Sequence, residues 1–181
     1  AKYYFYQTVH EDPLLDKGWL AITNLYYNKR DFEKAVFYIN KALNIDGENP
    51  QYWKKCAKIH MALENYDQAD FAFKQAVDLG NYELDTWLKW AEVVRINGET
   101  EAAVQILSQG REFYPESLKL LYRSVGYLLL ANDPINARIM LMDALKIDIK
   151  QKKLHLFTEN FPQYGKSEWT QEIVKKYNKT K

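Results

Sequence analysis

The chain has 181 residues, of which 47% are hydrophobic, and it contains only seven Gly, five Pro and one Cys. A formal net charge of +1 argues against a dedicated nucleic-acid surface. The single Cys56 excludes an internal disulfide and a cysteine metal cage, and no apolar run approaches the roughly 20 residues of a membrane span. This composition favours helices joined by short turns.

The first twelve residues are rich in aromatic side chains, with Tyr3, Tyr4, Phe5 and Tyr6 in succession. We expect residues 1–12 to form a helix whose apolar side chains lack part of their packing partner. When the repeat described below is extended backwards by three periods, this segment takes the place of the second helix of an earlier repeat. We therefore expect the chain to be part of a longer protein.

Eight helices are predicted downstream, in four pairs separated by short turn signals such as Asn97-Gly98 and Asn132-Asp133-Pro134. Connections this short require the two helices of a pair to run antiparallel. The predicted bounds are 14–28 and 31–45, 50–63 and 66–79, 82–96 and 99–113, and 116–131 and 133–147.

Three columns of residues recur at intervals of 34 positions. The columns are Trp19, Trp53 and Trp87; Ala35, Ala69, Ala103 and Ala137; and Ala42, Ala76, Gly110 and Ala144. Small residues at fixed places allow two helix backbones to approach closely, and the tryptophans fill the space beside them. The sequence therefore predicts an all-α array of stacked helical hairpins.

Residues 152–181 have the length of most of a fifth unit but lose the alanine columns, and His155 stands where Trp is expected. We expect helices over 151–160 and 167–178, broken by Pro162 and Gly165. Nine lysines lie between Lys146 and Lys181, which suits the polar face of a terminal capping unit.

The 34-residue hairpin resembles the tetratricopeptide repeat, most clearly in the stretch WLAITNLYYNKRDFEKAVFYINKAL. In this stretch the signature places of the family hold Trp19, Ile22, Tyr26, Ala35, Ile39 and Ala42. The resemblance covers residues 13–151 as four units, 16–49, 50–83, 84–117 and 118–151, and it is weakest in the fourth, where Leu121 replaces Trp. It implies a right-handed superhelix of antiparallel hairpins.

The resemblance also implies a non-enzymatic scaffold that binds a peptide or protein in a concave groove lined by the first helix of each unit. The groove residues implied here are Asn24, Tyr27, Lys54, Lys58, Leu88, Lys89, Glu92, Arg95, Lys119, Tyr122 and Arg123. Basic charges among these Tyr and Leu side chains make an acidic peptide one expected partner. Some family members clamp a C-terminal carboxylate, and Lys54, Lys119 and Arg123 match that pattern, whereas Lys58 and Lys89 replace its two asparagines.

Catalytic interpretations have little support, because His10, His60 and His155 lie in different units and no nucleophile, metal or phosphate-loop signature occurs. We therefore expect no enzyme activity, no metal and no cofactor, with His60 packed in the core.

The main alternative is an assembly module that self-associates through Tyr3, Tyr4, Phe5 and Tyr6. An RNA-associated repeat ranks lower, because the central units are acidic. We expect a cytoplasmic protein without a membrane partner; the identity of the partner is open.

Overall fold

The structure, a computed structural model, describes residues 2–179, with side chains from residue 6 onward. Its regular elements over this part of the chain are all α-helices. They are α1 (Lys2–Glu11), α2 (Asp16–Asn28), α3 (Phe32–Ile45), α4 (Pro50–Ala62), α5 (Tyr66–Asp78), α6 (Leu84–Ile96), α7 (Thr100–Phe113), α8 (Leu118–Leu130), α9 (Pro134–Ile147), α10 (His155–Thr158), α11 (Pro162–Gly165) and α12 (Glu168–Lys179).

The eight helices predicted from the repeat are confirmed, and each boundary lies within two residues of its expected place. The chain divides into two compact units between Thr86 and Trp87. Within residues 2–179, none of the helices is both long enough and apolar enough to cross a membrane.

In the first unit, α2 and α3 form one hairpin and α4 and α5 form the next, with α3 packed against α4. Helix α1 packs on α2, and its Val9 is buried against Gly18. A Cβ atom at Gly18 would lie 2.7 Å from Val9 Cγ1. Glycine at this position therefore permits the close approach of the two helices.

The alanine columns form the centre of the hairpins, as predicted. Ala35, Ala69, Ala103 and Ala137 are all 0% exposed. The Trp19 and Trp53 indoles donate hydrogen bonds to the carbonyl six residues earlier, at 2.8 Å and 2.7 Å respectively. In these two hairpins the indole therefore also holds the chain segment that leads into the hairpin by a hydrogen bond.

The turns inside the four hairpins share a left-handed residue at intervals of 34 positions. These residues are Arg30 (φ 61°), Glu64 (φ 59°), Gly98 (φ 92°) and Asn132 (φ 58°). In each turn the next amide donates to the carbonyl five residues earlier, over 2.8–3.1 Å, as in a Schellman cap. Backbone hydrogen bonds therefore fix the same corner in all four hairpins, although only one of them carries glycine.

In the second unit, α8 packs against α7, α9 and α10, and α12 packs on α9. The helix expected over 151–160 is wrong in extent. Gln151 adopts a left-handed φ of 54°, turns follow it, and α10 holds only His155–Thr158. Phe157 (0% exposed) and Phe161 (6% exposed) are buried in this unit, so burial of two rings, not helix continuity, sets the path of the chain here.

Candidate functional site

The residues predicted to line a groove lie on α2 and α4 in the first unit and on α6 and α8 in the second. We call the side of these four helices that carries them the first-helix face. Most of these side chains are half-buried, as expected for a surface held by ordered helices. The structure shows which of them are already engaged within the chain.

Lys54 and Lys58 on α4 are engaged by carboxylates from the segment that begins α6. Lys54 Nζ lies 2.7 Å from Glu83 Oε2, and Lys58 Nζ lies 2.6 Å from Asp85 Oδ2. The Lys54 side chain is only 11% exposed. We call these four residues the lysine–carboxylate cluster. The two lysines expected to contact a ligand are already paired with carboxylates of the same chain.

The local fold places these carboxylates. Thr86 Oγ1 donates to Asn81 Oδ1 over 2.7 Å, and Asn81 is 3% exposed, so a buried amide shapes the connection into α6. Glu83 accepts from Lys54 Nζ at 2.7 Å and from Gln51 Nε2 at 2.8 Å. The hydrogen bond from Lys54 is the larger of two effects that lower the pKa of the Glu83 carboxyl, and that from Gln51 is the second. Glu83 therefore stays ionised opposite the buried ammonium.

Tyr27 and Asn24 on α2 are both half-buried. The ammonium nitrogen of Lys55 lies 3.9 Å from the centroid of the Tyr27 ring, within cation–π range. Burial and the neighbouring Lys58 lower the pKa of Lys55. Lys55 was not among the predicted site residues, and it covers one of them.

Tyr122 on α8 does not reach the first-helix face. It is 1% exposed, and its hydroxyl donates to Asp148 Oδ2 over 3.0 Å. Burial, followed by that hydrogen bond, raises the pKa of Tyr122. The prediction that Tyr122 lines the groove is therefore wrong: its side chain is a core contact. Of the other predicted groove residues in this unit, Leu88 and Lys89 are half-buried and Lys119 is exposed.

Glu92, Arg95 and Arg123 come together in a cleft of about 300 Å³ within the second unit. Tyr127 and Leu130 of α8 and the chain after α10 complete it, through Asn160, Phe161 and Gln163. We call this the arginine cleft. It joins side chains from two first helices with others from the segment that follows the repeats.

Phe161 forms one wall of the arginine cleft, which we call its far wall, and Gly126 leaves the space that this ring occupies. A Cβ atom at this position would lie 2.1 Å from Phe161 Cε2 and 2.2 Å from Phe161 Cζ. The Phe161 ring therefore occupies the notch that glycine leaves on α8, and it meets the Tyr127 ring edge-on, with centroids 5.9 Å apart. Asn160 and Gln163 lie within two residues of this ring along the chain.

The predicted self-association surface is described only in part, because the side chains of Tyr3, Tyr4 and Phe5 lie outside the described residues. Tyr6 is half-buried. Its hydroxyl lies 3.0 Å from that of Tyr26 and 2.7 Å from that of Tyr38, so this side chain has partners within the chain. Self-association through the N-terminal helix stays a prediction.

Among residues 2–179, no cluster of three or more His, Cys, Asp and Glu side chains could hold a metal ion. His60 is half-buried, and its Nδ1 atom has no hydrogen-bond partner there. Burial lowers the pKa of this imidazole. His60 is therefore a packed histidine that stays neutral at pH 7.

Sequence reasoning missed the partners that decide what each predicted cation does. Glu83 lies 29 residues beyond Lys54, and nothing in their spacing links them. Asn160, Phe161 and Gln163 lie where the repeat is lost. The one available signal was Gly126, because glycine inside a helical pattern often marks the close approach of another segment.

The sequence model of the tetratricopeptide repeat matches residues 17–49 and 52–80. Anaphase-promoting complex subunit 3 of Schizosaccharomyces pombe is 20% identical over 119 residues, which are 66% of this chain and 18% of that protein. The chain thus spans about a fifth of the curated relative.

Solved structures of the same fold include MamA and YrrB. A MamA structure has a TM-score of 0.73 at 15% identity and covers 82% of this chain and 81% of its own. YrrB, described as a TPR protein with an unusual peptide-binding site, has a TM-score of 0.71 at 16% identity and covers 96% and 90%. MamA residues 41 to the end, from Desulfovibrio magneticus RS-1, has a TM-score of 0.69 at 13% identity and covers 91% and 93%.

Proposed function

We propose that this tetratricopeptide-repeat protein is a non-enzymatic scaffold that holds a peptide or a segment of a partner protein on its first-helix face. The arginine cleft carries the proposal, because three residues that the repeat places on that face converge there around a concave space. Concave sites with a few convergent polar groups are where ligands usually bind. YrrB, a solved structure of the same fold, is described as having a peptide-binding site, which supports the same function for this chain.

The packing beneath the first-helix face favours a preformed binding surface. The alanine columns beneath are fully buried, and the polar side chains above them stand on regular helices. Binding to such a surface requires little ordering of the scaffold, so more of the interaction energy appears as affinity. An extended or helical peptide suits the half-buried side chains that the first helices carry within each unit.

The test is selection of peptides from a random display library against the intact chain, followed by measurement of their affinities for designed variants. Lys89→Glu alters the first-helix face of the second unit, and Asn24→Glu alters that of the first. Lys74 is exposed on α5, so Lys74→Glu is the matched control with the same charge change on a second helix of a hairpin.

We expect a variant of the first-helix face to weaken selected peptides by about tenfold or more, equivalent to about 1.4 kcal/mol, while Lys74→Glu changes their affinity less than about twofold. Circular dichroism checks that the variants keep their helices. If Lys74→Glu weakens binding as much as both face variants, the ligand lies elsewhere and the proposal fails.

A further inference from the structure

A second concave surface lies outside the first-helix face, where α12 meets the chain that leads into α10. It has a volume of about 430 Å³, and it is lined by Leu154 on one side and by side chains of α12 on the other. We call it the terminal groove. None of its lining residues belongs to α2, α4, α6 or α8, so it is separate from the first-helix face.

The terminal groove lies beside the turns that replace the helix expected at the start of the fifth unit. Residues 151–154 precede the short helix α10. The Gln151 side-chain nitrogen donates to Asn178 Oδ1 over 2.7 Å. This hydrogen bond holds the turns to the C-terminal part of α12, with the groove between Leu154 and that helix.

The groove has an apolar floor. Leu154 and Val174 are both half-buried, and Gly165 is buried. Thr170 is 2% exposed, and its hydroxyl donates to the Tyr164 carbonyl over 2.8 Å, so that hydroxyl is satisfied within the chain. A ligand that covers Leu154 and Val174 removes apolar surface from water, which favours binding.

The rim of the groove is basic. Lys175 and Lys179 are exposed, and the lining contains no carboxylate. Among the described residues, neither lysine belongs to an ion pair. Residues 150–179 carry seven lysines against three glutamates. Charge complementarity therefore favours an acidic ligand.

The other charges of α12 lie on a different side of the helix. At about 100° per residue, Glu172 and Lys176 are each about 160° around the helix from Val174. Neither of them lines the groove. Glu172 therefore does not offset the two rim lysines, and Lys176 provides a matched control on the same helix.

The shape of the groove favours a helix as its ligand. Thr170 and Lys179 are about 14 Å apart along α12, a length that rather more than two turns of a docked helix would cover. The regular elements over residues 2–179 are all helices, so this part of the chain offers no sheet edge to an extended peptide, and docking of an amphipathic helix is the fitting mode. The lining also lacks the aromatic rings on which single-stranded nucleic acids stack.

We propose that the terminal groove docks an acidic amphipathic helix of a partner protein. The apolar side chains of that helix cover Leu154 and Val174, and its carboxylates pair with Lys175 and Lys179. This inference goes beyond the proposed function, because the groove shares no residue with the first-helix face.

The test uses a designed peptide of Glu, Ala and Leu, about 18 residues long so that it is helical alone, with leucines along one face. One matched peptide carries Lys in place of each Glu, and another carries Gln in place of each Leu. Each peptide is titrated into the intact chain while NMR follows the methyl resonances of Leu154 and Val174. Ile135 is 74% exposed on α9 and serves as the internal control for unspecific apolar contact.

We expect the acidic peptide to shift the Leu154 and Val174 resonances with a Kd on the order of 100 μM and to leave Ile135 unchanged. Both matched peptides should bind about tenfold more weakly or worse. Lys175→Glu combined with Lys179→Glu should weaken the acidic peptide about tenfold, and Lys176→Glu less than about twofold. Ile173 is 2% exposed, so its unchanged methyl shift confirms that α12 stays packed in the variants.

Equal binding of either matched peptide, equal weakening by Lys176→Glu, equal shifts at Ile135, or no shifts at all would overturn the inference. Tighter binding of polyuridylate than of the acidic peptide would assign the groove to nucleic acid instead. Shifts of Leu154 and Val174 that grow with protein concentration, without peptide, would assign it to a second copy of the chain. Either result refutes the proposal.

These failures are distinguishable from failure of the proposed function. If peptides selected by display lose affinity on Lys89→Glu while the acidic helix does not bind, the scaffold proposal stands and the terminal groove is refuted as a docking site. If the acidic helix binds and Lys89→Glu has no effect on the selected peptides, the reverse holds.

Discussion

The contact between Gly126 and Phe161 supports a prediction in which one substitution changes sign with its background. A Cβ atom at residue 126 would lie 2.1–2.3 Å from three atoms of the Phe161 ring, so Gly126→Ala forces a buried ring to move. Overpacking of this kind costs about 1 to 3 kcal/mol. Alanine inside a helix is about 1 kcal/mol better than glycine, so the expected net loss in the native background is about 0 to 2 kcal/mol.

In a Phe161→Ala background the ring that supplies the three nearest atoms to the added methyl group is gone. Gly126→Ala should then stabilise the second unit by about 1 kcal/mol, although Phe161→Ala itself costs about 3 to 5 kcal/mol. The coupling between the two sites is therefore about 1 to 3 kcal/mol. Phe161→Leu provides a milder background if Phe161→Ala proves too unstable.

The assay is native-state hydrogen exchange at the backbone amides of α8 in the parent chain, both single variants and the double variant, because these amides report on the second unit. Equal destabilisation by Gly126→Ala in both backgrounds would show that the Phe161 ring does not occupy the notch, and the described far wall of the arginine cleft would be wrong.

Four further predictions concern packing, ion pairing, proton binding and assembly. Trp87 is 2% exposed, and Trp87→Ala should destabilise the second unit by about 3 to 5 kcal/mol. This loss should appear as faster hydrogen exchange at the α8 amides, and a loss below about 1 kcal/mol would refute the core role of the side chain. Glu83→Gln leaves the buried Lys54 ammonium without its nearest carboxylate and should cost about 1 to 2 kcal/mol in urea unfolding, more than Lys54→Met; the reverse order would contradict the described pairing. Because burial lowers the pKa of His60 below 6.5, the unfolded chain binds its proton first as the pH falls, so stability should decrease from about pH 7 to pH 5, and His60→Gln should reduce that slope in urea titrations. Sedimentation of the parent chain should show a concentration-dependent dimer that Phe5→Glu abolishes; a monomer at all concentrations would end the self-association prediction.

The repeat itself was predictable because its signals are local and recur. Helix lengths, the antiparallel pairing and the buried alanines follow from the turn signals and from the spacing of Ala, which all four hairpins repeat, and of Trp, which three of them repeat. Of the four left-handed corners, only Gly98 and Asn132 carry a residue type that favours this conformation. At Arg30 and Glu64 the backbone bonds of the cap impose the conformation, so no side-chain signal marks it.

The segment from 151 to 165 was not predictable in the same way, because its elements are too short to be stable alone. The contact of Phe161 with Gly126 decides its course. The candidate sites divide along the same line: the residues of the first-helix face were identified from register, but the pairing of Lys54 with Glu83 and the meeting of Arg123 with Asn160 depend on tertiary contacts.

The uniform corners also make this chain convenient to label. Cys56 is 4% exposed, and burial raises the pKa of its thiol to about 12, so it reacts poorly with maleimides at neutral pH. New cysteines at the exposed corners Arg30 and Glu64 would carry a pair of fluorophores at matching points of adjacent hairpins in the first unit. Energy transfer between them would show directly whether ligand capture spreads or tightens that pair of hairpins.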